Sequence, residues 1–158
     1  MPREALQEPF SLTKGETGVT STDGLNASTT YSIIWEYQVP TGIGFIILPG
    51  HTFSAYLEGD DDAEMPATSL LKVSIQDASK QDKKTIMGPV LYQSVKEFTD
   101  RTKIAKFNVA EPVKIYESQY IIVEEAGADA AGTGGVDQTG ASSDSFFEMT
   151  MVRVRSPL

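Results

Sequence analysis

The chain has 158 residues, a formal net charge of −9, one histidine and no cysteine. This length suits one domain with a sizeable core, because a chain of this size buries roughly 70% of the surface that its unfolded form exposes. The acidic balance argues against nucleic acid as a partner, since phosphate binding needs a basic face, and the lack of cysteine excludes disulfides, thiolate nucleophiles and cysteine metal sites.

The first ten residues, MPREALQEPF, lack the apolar stretch of a secretory signal, so we expect no export by that route. The longest apolar run, GIGFIILPG, is far short of the ~18 residues that span a bilayer. The sequence therefore predicts a soluble protein with no membrane partner.

Residues 1–19 are predicted to form a polar N-terminal arm, with room for a first strand near PFSLTKG. The apolar side chains of this segment are few, Leu6, Phe10 and Leu12 among them, and they are too few to cover a core alone. Phe10 and Leu12 are two residues apart, so they point the same way from an extended chain. We expect the arm to lie on a neighbouring protein, where it could add to a sheet edge or fill pockets.

The stretch YSIIWEYQVPTGIGFIILPGHTF, residues 31–53, is the most apolar and aromatic part of the chain. Its first nine residues alternate with period two, which predicts a half-buried strand with Ile33 and Trp35 on its core face. Pro40 ends this strand, because proline cannot donate to a β-ladder. Two shorter strands follow after turns, so the stretch is predicted to be a strand–turn–strand meander.

Five later segments also combine apolar residues with a high content of β-formers. Gly88-Pro89 predicts a bulge or an edge position in the second of them, and SVKEFTDRTK is the one candidate for a helical turn. The five segments are LLKVSIQD, TIMGPVLYQSV, KIAKFNV, VKIYESQYIIVEE and SFFEMTMVRVR.

Eight to nine strands with almost no helix predict an all-β fold, an antiparallel β-sandwich of jelly-roll-like organisation over residues 20–158. Residues 126–145 form a Gly/Ala/Ser/Asp-rich segment without a bulky side chain except Val136. Such a segment cannot offset its ordering entropy by burial, which predicts a flexible loop. The predicted core consists of Ile33, Trp35, Val39, Phe53, Leu57, Val73, Ile75, Ile115, Ile121 and Met149.

No group of residues in the sequence forms a recognisable catalytic arrangement. His51 follows a Pro-Gly turn, but no nucleophile motif accompanies it, so we expect a loop histidine rather than a catalytic base. The acidic run Asp60 to Glu64 is the best metal candidate, yet it lacks the alternating spacing of a calcium loop. A solvated acidic turn is the favoured interpretation and calcium binding the alternative. The sequence thus predicts a protein that is not an enzyme and needs no cofactor.

The charges are unevenly distributed along the chain. Residues 1–64 hold ten acids and two bases, whereas residues 80–106 hold seven bases and three acids. This asymmetry could form complementary surfaces between the chain and a protein partner or a second copy, or it could be a set of solvated loops. The basic candidates for partner binding are Lys80, Lys83, Lys84, Arg101 and Lys103.

The stretch WEYQVPTGIGFIILPGHTF, the Gly/Ala/Ser/Asp loop and the C-terminal FFEMTMVRVRSPL belong to a small, acidic, cysteine-free, all-β chain with a polar arm. In overall style, across most of its length, the chain resembles the decoration (cement) and accessory proteins of tailed-phage-like virus particles. The resemblance carries over no functional residues. It implies a non-enzymatic protein, made in the host cytoplasm, that binds the major capsid protein or another virion protein on the outer capsid surface, often as a trimer.

A recognition module, such as a tail-fibre tip or a carbohydrate-binding domain, is the alternative function. It would use the 126–145 loop and surface aromatic residues. A sugar binder needs two or three coplanar, solvent-facing rings, whereas a decoration protein needs a flat base and an arm. The position of exposed aromatic residues therefore discriminates between the two.

Overall fold

A computed structural model describes residues 6–13, 31–51, 53–57, 69–95, 109–127 and 146–155, with the backbone alone for residues 6–13, 32 and 146. These residues form nine β-strands and one helical turn. In chain order the elements are β1 (Leu6–Thr13), β2 (Ser32–Gln38), β3 (Ile43–Ile47), β4 (Phe53–Tyr56), β5 (Leu70–Gln76), β6 (Lys83–Leu91), α1 (Tyr92–Val95), β7 (Val113–Ile115), β8 (Tyr120–Ala126) and β9 (Phe146–Arg155).

The strands form two antiparallel sheets. Sheet A has the order β1-β9-β3-β7, with β4 also paired to β9, and sheet B has the order β2-β8-β5-β6. Side chains of the two sheets meet in one core, where the rings of Trp35 from sheet B and Phe147 from sheet A have their centroids 6.5 Å apart. The predicted all-β, antiparallel sandwich is confirmed.

The strand pairs are nested within one another along the sequence. Strand β1 pairs with β9, β2 with β8, β3 with β7, and β5 with β6, always antiparallel. The chain is therefore organised as one long antiparallel hairpin whose tip is the turn between β5 and β6, and this hairpin is distributed over both sheets. In the turn, Lys80 has a positive φ of 60°, and Asp77 accepts hydrogen bonds from the N–H groups of Gln81 and Asp82.

The predicted meander over residues 31–53 is wrong in its pairing. Strand β2 belongs to sheet B, and β3 and β4 do not pair with each other but lie end to end along β9. Residues 43–46 pair with the last four residues of β9, and residues 53–56 pair with its first four. Strand β9 has ten residues, so both short strands fit along one of its edges.

Nine of the ten predicted core residues are buried, and Ile33 is the exception. A register irregularity between Ile33 and Trp35 in the β2–β8 pairing marks a β-bulge. An extra residue at a bulge reverses the alternation, so Ile34 is buried at 3% exposure in place of Ile33. Strict period two cannot predict such a reversal. The bulge or edge predicted at Gly88-Pro89 is confirmed, since β6 is an edge of sheet B with two register shifts against β5.

The segment VKIYESQYIIVEE, predicted as one strand, forms β7 and β8 in different sheets. A turn separates them, with Ser118 at a positive φ of 68°. The carboxylate of Glu117 accepts a hydrogen bond of 2.6 Å from the N–H of Gly42, which joins this turn to the β2–β3 turn. The helical turn α1 begins two residues before the predicted one, and most of the predicted strand KIAKFNV lies outside the described residues.

Candidate functional site

The outer face of sheet B has an ion cluster, formed by Glu124 of β8, Lys72 of β5 and Lys83 of β6. The Nζ atom of Lys83 lies 2.5 Å from Oε1 of Glu124, and Nζ of Lys72 lies 3.4 Å from Oε2. Strand β5 lies between β6 and β8, so the side chain of Lys83 crosses it to reach the carboxylate. The Glu124 side chain is only 7% exposed, and two cations offset the desolvation cost of this buried charge.

A second ion pair crosses the same face nearer the β5–β6 turn. The Nζ atom of Lys80 lies 2.5 Å from Oε1 of Glu36 on β2 and 4.6 Å from the centroid of the Tyr120 ring on β8. The hydrogen bond to Glu36 raises the pKa of Lys80. Because the Lys80 side chain is 49% exposed, solvent screens this pair, which contributes little to stability.

The middle of the outer face of sheet B is covered. Ser74 and Ile122 alternate with core residues and so face away from the core, yet both are fully buried. Two of the three lysines that cross this face also cover aromatic rings, with Nζ of Lys72 lying 4.0 Å from the centroid of the Tyr31 ring. Each of these cation–π contacts occupies one face of a tyrosine ring, so that face is not available for stacking on a ligand.

The outer face of sheet A has a different character. Ile46 pairs with Lys114 on one side and Val152 on the other, and these residues alternate with core positions, so they face outwards. Ile46, Val152 and Val154 are half-buried. Leu48 and Tyr116, which directly follow β3 and β7, are 38% and 48% exposed. We call these five apolar residues the sheet A patch: Ile46, Leu48, Tyr116, Val152 and Val154.

The structure separates the basic residues predicted to bind a partner. Lys80 and Lys83 form the ion pairs within the chain described above, whereas Lys84 is exposed on the edge strand β6. Arg101 and Lys103 lie outside the described residues. Partner binding by these residues stays a prediction. To bind an acid of a partner, Lys80 and Lys83 would have to give up their ion pairs with Glu36 and Glu124.

The apolar residues predicted to bind a partner lie in β1. In the backbone register, Leu6 pairs with Arg153, Phe10 with Met149 and Leu12 with Phe147 of β9. The arm over residues 1–19 thus includes the strand that the sequence allowed for, and that strand pairs within its own chain. Contact between the arm and a neighbouring protein stays a prediction.

His51 closes the turn between β3 and β4. Its backbone N–H donates to the carbonyl of Leu48 (3.0 Å), and its ring Nδ1 accepts a hydrogen bond from the backbone N–H of Leu48 (3.1 Å). This hydrogen bond gives the imidazole a local structural role, in a turn where Gly50 supplies the positive φ of 91°. The sequence offered one signal for it, a histidine directly after Pro-Gly.

No group of three or more His, Asp or Glu side chains that could hold a metal ion occurs among the described residues. The acidic run Asp60 to Glu64 lies outside them, so calcium binding there stays an open alternative. The predicted 126–145 loop also falls outside them from residue 128 onwards, and Ala126 still belongs to β8. Within the described parts of the chain, no helix is both long and apolar enough to cross a membrane.

The ion cluster was missed from the sequence because the charges come from strands that are distant along the chain. Lys72, Lys83 and Glu124 are 11 to 52 residues apart, and only the order β8-β5-β6 brings them together. One signal was available: Glu124 and Glu125 follow three apolar residues in a strand. Acids at positions that continue a buried strand require partners.

Two buried tyrosine hydroxyls differ in their hydrogen bonding, so we expect their removal to change the free energy of unfolding differently. Among the described residues no partner bonds the Tyr31 hydroxyl, whereas the Tyr92 hydroxyl accepts a 3.0 Å hydrogen bond from the N–H of Leu57. We expect Tyr31→Phe to leave the free energy of unfolding unchanged or to raise it by up to ~1 kcal/mol, because it removes an unsatisfied polar group and keeps the ring under Lys72. Tyr92→Phe should lower it by about 1–3 kcal/mol, since the Leu57 N–H loses its partner.

Urea denaturation of both variants at neutral pH measures this difference. Burial raises the pKa of Tyr31, and the charges of Glu124 and Glu125 raise it further. As the pH rises, Tyr31 therefore loses its proton in the unfolded chain before it does in the folded chain. The free energy of unfolding consequently falls as the pH rises above ~10. Tyr31→Phe should abolish the part of this fall that comes from Tyr31. A loss of more than 1 kcal/mol in Tyr31→Phe at neutral pH would mean that the hydroxyl is bonded.

No protein-family model matches the chain, and no curated protein sequence matches it significantly.

Proposed function

We propose that the chain is a non-enzymatic structural protein that binds the outer surface of a viral capsid and stabilises the particle, as a decoration or cement protein. Its partner would be the major capsid protein or another virion protein. The protein would act as a homo-oligomer, with a trimer favoured. This proposal rests on the nested strand pairing, on the contrast between the two outer faces and on the resemblance described above.

The nested pairing carries the proposal. When β3 and β4 are counted as one interrupted strand, eight strands pair first with last, second with seventh, third with sixth and fourth with fifth. We infer that this is the connectivity of a jelly roll. Jelly rolls are the architecture of many viral capsid domains, and of lectin domains and cupins. Because architecture alone does not fix function, the surfaces must decide between these classes.

The surfaces favour protein contact over sugar binding. The sheet A patch is apolar and half-exposed, as expected for the centre of a modest protein interface. The rings of Tyr31 and Tyr120 are covered by lysines, and among the aromatic side chains that the structure describes only Tyr116 is exposed. A single ring does not make a stacking platform, so the carbohydrate-recognition alternative has less support.

Co-sedimentation tests the proposal. The purified chain is mixed with capsids of the virus that encodes it, after removal of their accessory proteins, and the bound fraction is measured after centrifugation. We expect saturable binding, with a capsid that withstands higher temperature once covered. Ile46→Asp should abolish or strongly reduce binding, because it places a carboxylate, opposite Lys114, in the apolar sheet A patch, and that carboxylate loses its water on contact with a partner.

Ser94→Asp is the matched control, since it adds the same charge at an exposed position on α1, and it should bind like the natural chain. Both variants must keep the far-ultraviolet circular dichroism of the natural chain. Failure of the natural chain to bind capsids, together with saturable binding to an immobilised glycan, would replace the proposal with the recognition module. Equal binding by Ile46→Asp would move the contact away from sheet A.

A further inference from the structure

Strand β1 is attached to the sandwich through one neighbour. It lies at the edge of sheet A and pairs with β9 over eight consecutive positions, from Leu6 opposite Arg153 to Thr13 opposite Phe146. Among the described elements, β9 is the one with which it has extensive contact. Pro9 lies in the middle of β1, and proline in a strand is confined to edges because it cannot donate to a ladder. Strand β1 thus ends the sheet.

The connection from β1 to the next strand is long. Strand β1 ends at Thr13 and β2 begins at Ser32, so residues 14–31, 18 in all, join them. An extended chain of this length spans up to ~60 Å, whereas a domain of this size has a radius of gyration of only about 15 Å. The connection therefore has ample length to place β1 on the β9 edge of an adjacent copy.

The remainder of the sandwich does not depend on β1 for its strand order. Among the side chains that the structure describes, those of the core come from residues 34 to 151. Without β1, sheet A still has β9 paired to β3 and β4, and β3 paired to β7. Phe147 of β9 remains in contact with Trp35 and Phe53, at ring-centroid distances of 6.5 and 6.2 Å. Strand β9 would then present one open edge of backbone groups.

We propose that β1 is exchanged between copies of this chain, so that in the oligomer β1 of one copy occupies the β9 edge of the next in the same antiparallel register. The exchange replaces eight register pairs within a chain by the same eight between chains, so it costs no strand pairing. It is a route by which identical chains form dimers or closed rings. Each chain provides one β1 and one β9 edge, so a closed dimer or ring of exchanged copies leaves no β9 edge without a strand.

The balance between the two arrangements is set by concentration. A flexible connection of this length would give β1 an effective concentration on the order of millimolar or less at its own β9 edge. Copies held side by side in an oligomer offer their β9 edges at a comparable concentration. Exchange therefore competes with pairing within the chain where copies are adjacent, and pairing within the chain prevails in dilute solution. The inference concerns contact between copies alone and does not depend on a capsid as the partner.

Cysteine pairing tests the exchange directly, because the chain has no cysteine of its own. Gln7 and Val152 are opposite each other in the β1–β9 register, and opposed Cα atoms in antiparallel strands lie within disulfide range. Full-length Gln7→Cys and Val152→Cys chains, each with a different affinity tag, are co-expressed, concentrated and oxidised. The mixed disulfide is then measured after denaturation.

We expect roughly tenfold or more mixed disulfide than from Gln7→Cys co-expressed with Ser94→Cys, whose cysteine is exposed on α1 and has no place in the β1–β9 register. The double variant Gln7→Cys/Val152→Cys reports the register itself. If it forms an intrachain disulfide while the mixed pair stays at the level of the Ser94→Cys control, β1 remains on its own chain and the exchange is refuted. If neither forms a disulfide, the register on which the exchange depends is wrong.

Discussion

Gly88→Ala should lower the free energy of unfolding by about 3 kcal/mol or more, one of the two largest losses that we expect from a single substitution in this chain. Gly88 lies in β6 at a positive φ of 92°, a conformation that disfavours any side chain with a Cβ atom. A Cβ atom there would lie 2.4 Å from the carbonyl oxygen of Leu71 and 3.1 Å from Cα of Lys72. These are backbone atoms of β5, so the adjacent strand itself would have to move.

Gly42→Ala is the matched control. Gly42 also has a positive φ, 83°, but a Cβ atom there meets nothing within 4 Å. Its cost should be the backbone conformation alone, roughly 1–2 kcal/mol. Urea denaturation of both variants measures the difference. Equal losses would show that β5 and β6 separate easily at Gly88, and the pairing between Leu71 and Val90 would then be weaker than the register indicates.

Phe147→Ala should lower the free energy of unfolding by about 3–5 kcal/mol, the usual cost of removing a buried aromatic ring. Phe147 is fully buried and packs between Trp35 and Phe53, which come from different sheets. Its loss opens a cavity in the middle of the sandwich, where strands on both sides limit collapse. Such a loss is a large part of the 5–15 kcal/mol that stabilises a typical domain.

Val154→Ala provides the comparison on the same strand. Val154 is half-buried on the outer face of sheet A, so its truncation should cost less than ~1 kcal/mol. Denaturant midpoints of the two variants, with unchanged m-values, would check the expectation. A loss below 1 kcal/mol in Phe147→Ala would mean that the two sheets do not close on this ring.

The sequence predicted the class of fold because alternation is a local signal. The alternation in a segment such as LLKVSIQD predicts which of its residues are buried without any knowledge of the strands that pair with it. Leu71, Val73 and Ile75 are buried as expected. The alternation failed at Ile33, where a bulge inserts one residue. A bulge depends on the partner strand, and that partner, β8, begins more than eighty residues later.

Pairing and surface chemistry were beyond the reach of the sequence for the same reason. The residues 31–53 suggested a meander because neighbouring strands usually pair, but the partner of β3 and β4 is the C-terminal strand. The basic residues Lys80 and Lys83 suggested a contact surface, whereas each meets an acid on a strand that only the sheet order brings close. The sheet A patch likewise depends on three strands that are adjacent in space alone.

Strand β9 follows all of its partner strands in the sequence, and this order has a consequence for synthesis. Strands β1, β3 and β4 all pair with β9, so they are translated long before their common partner exists, whereas all four strands of sheet B are available once Ala126 has been made. Pairing over such long separations is slow, and open strand edges are prone to aggregate. A nascent chain that stalls before residue 146 would have one complete sheet, β3 paired with β7 alone, and two strands, β1 and β4, whose partner β9 is not yet made. Sheet A is therefore completed only after sheet B, and the yield of the protein in a cell should respond to chaperones that shield strand edges until β9 emerges.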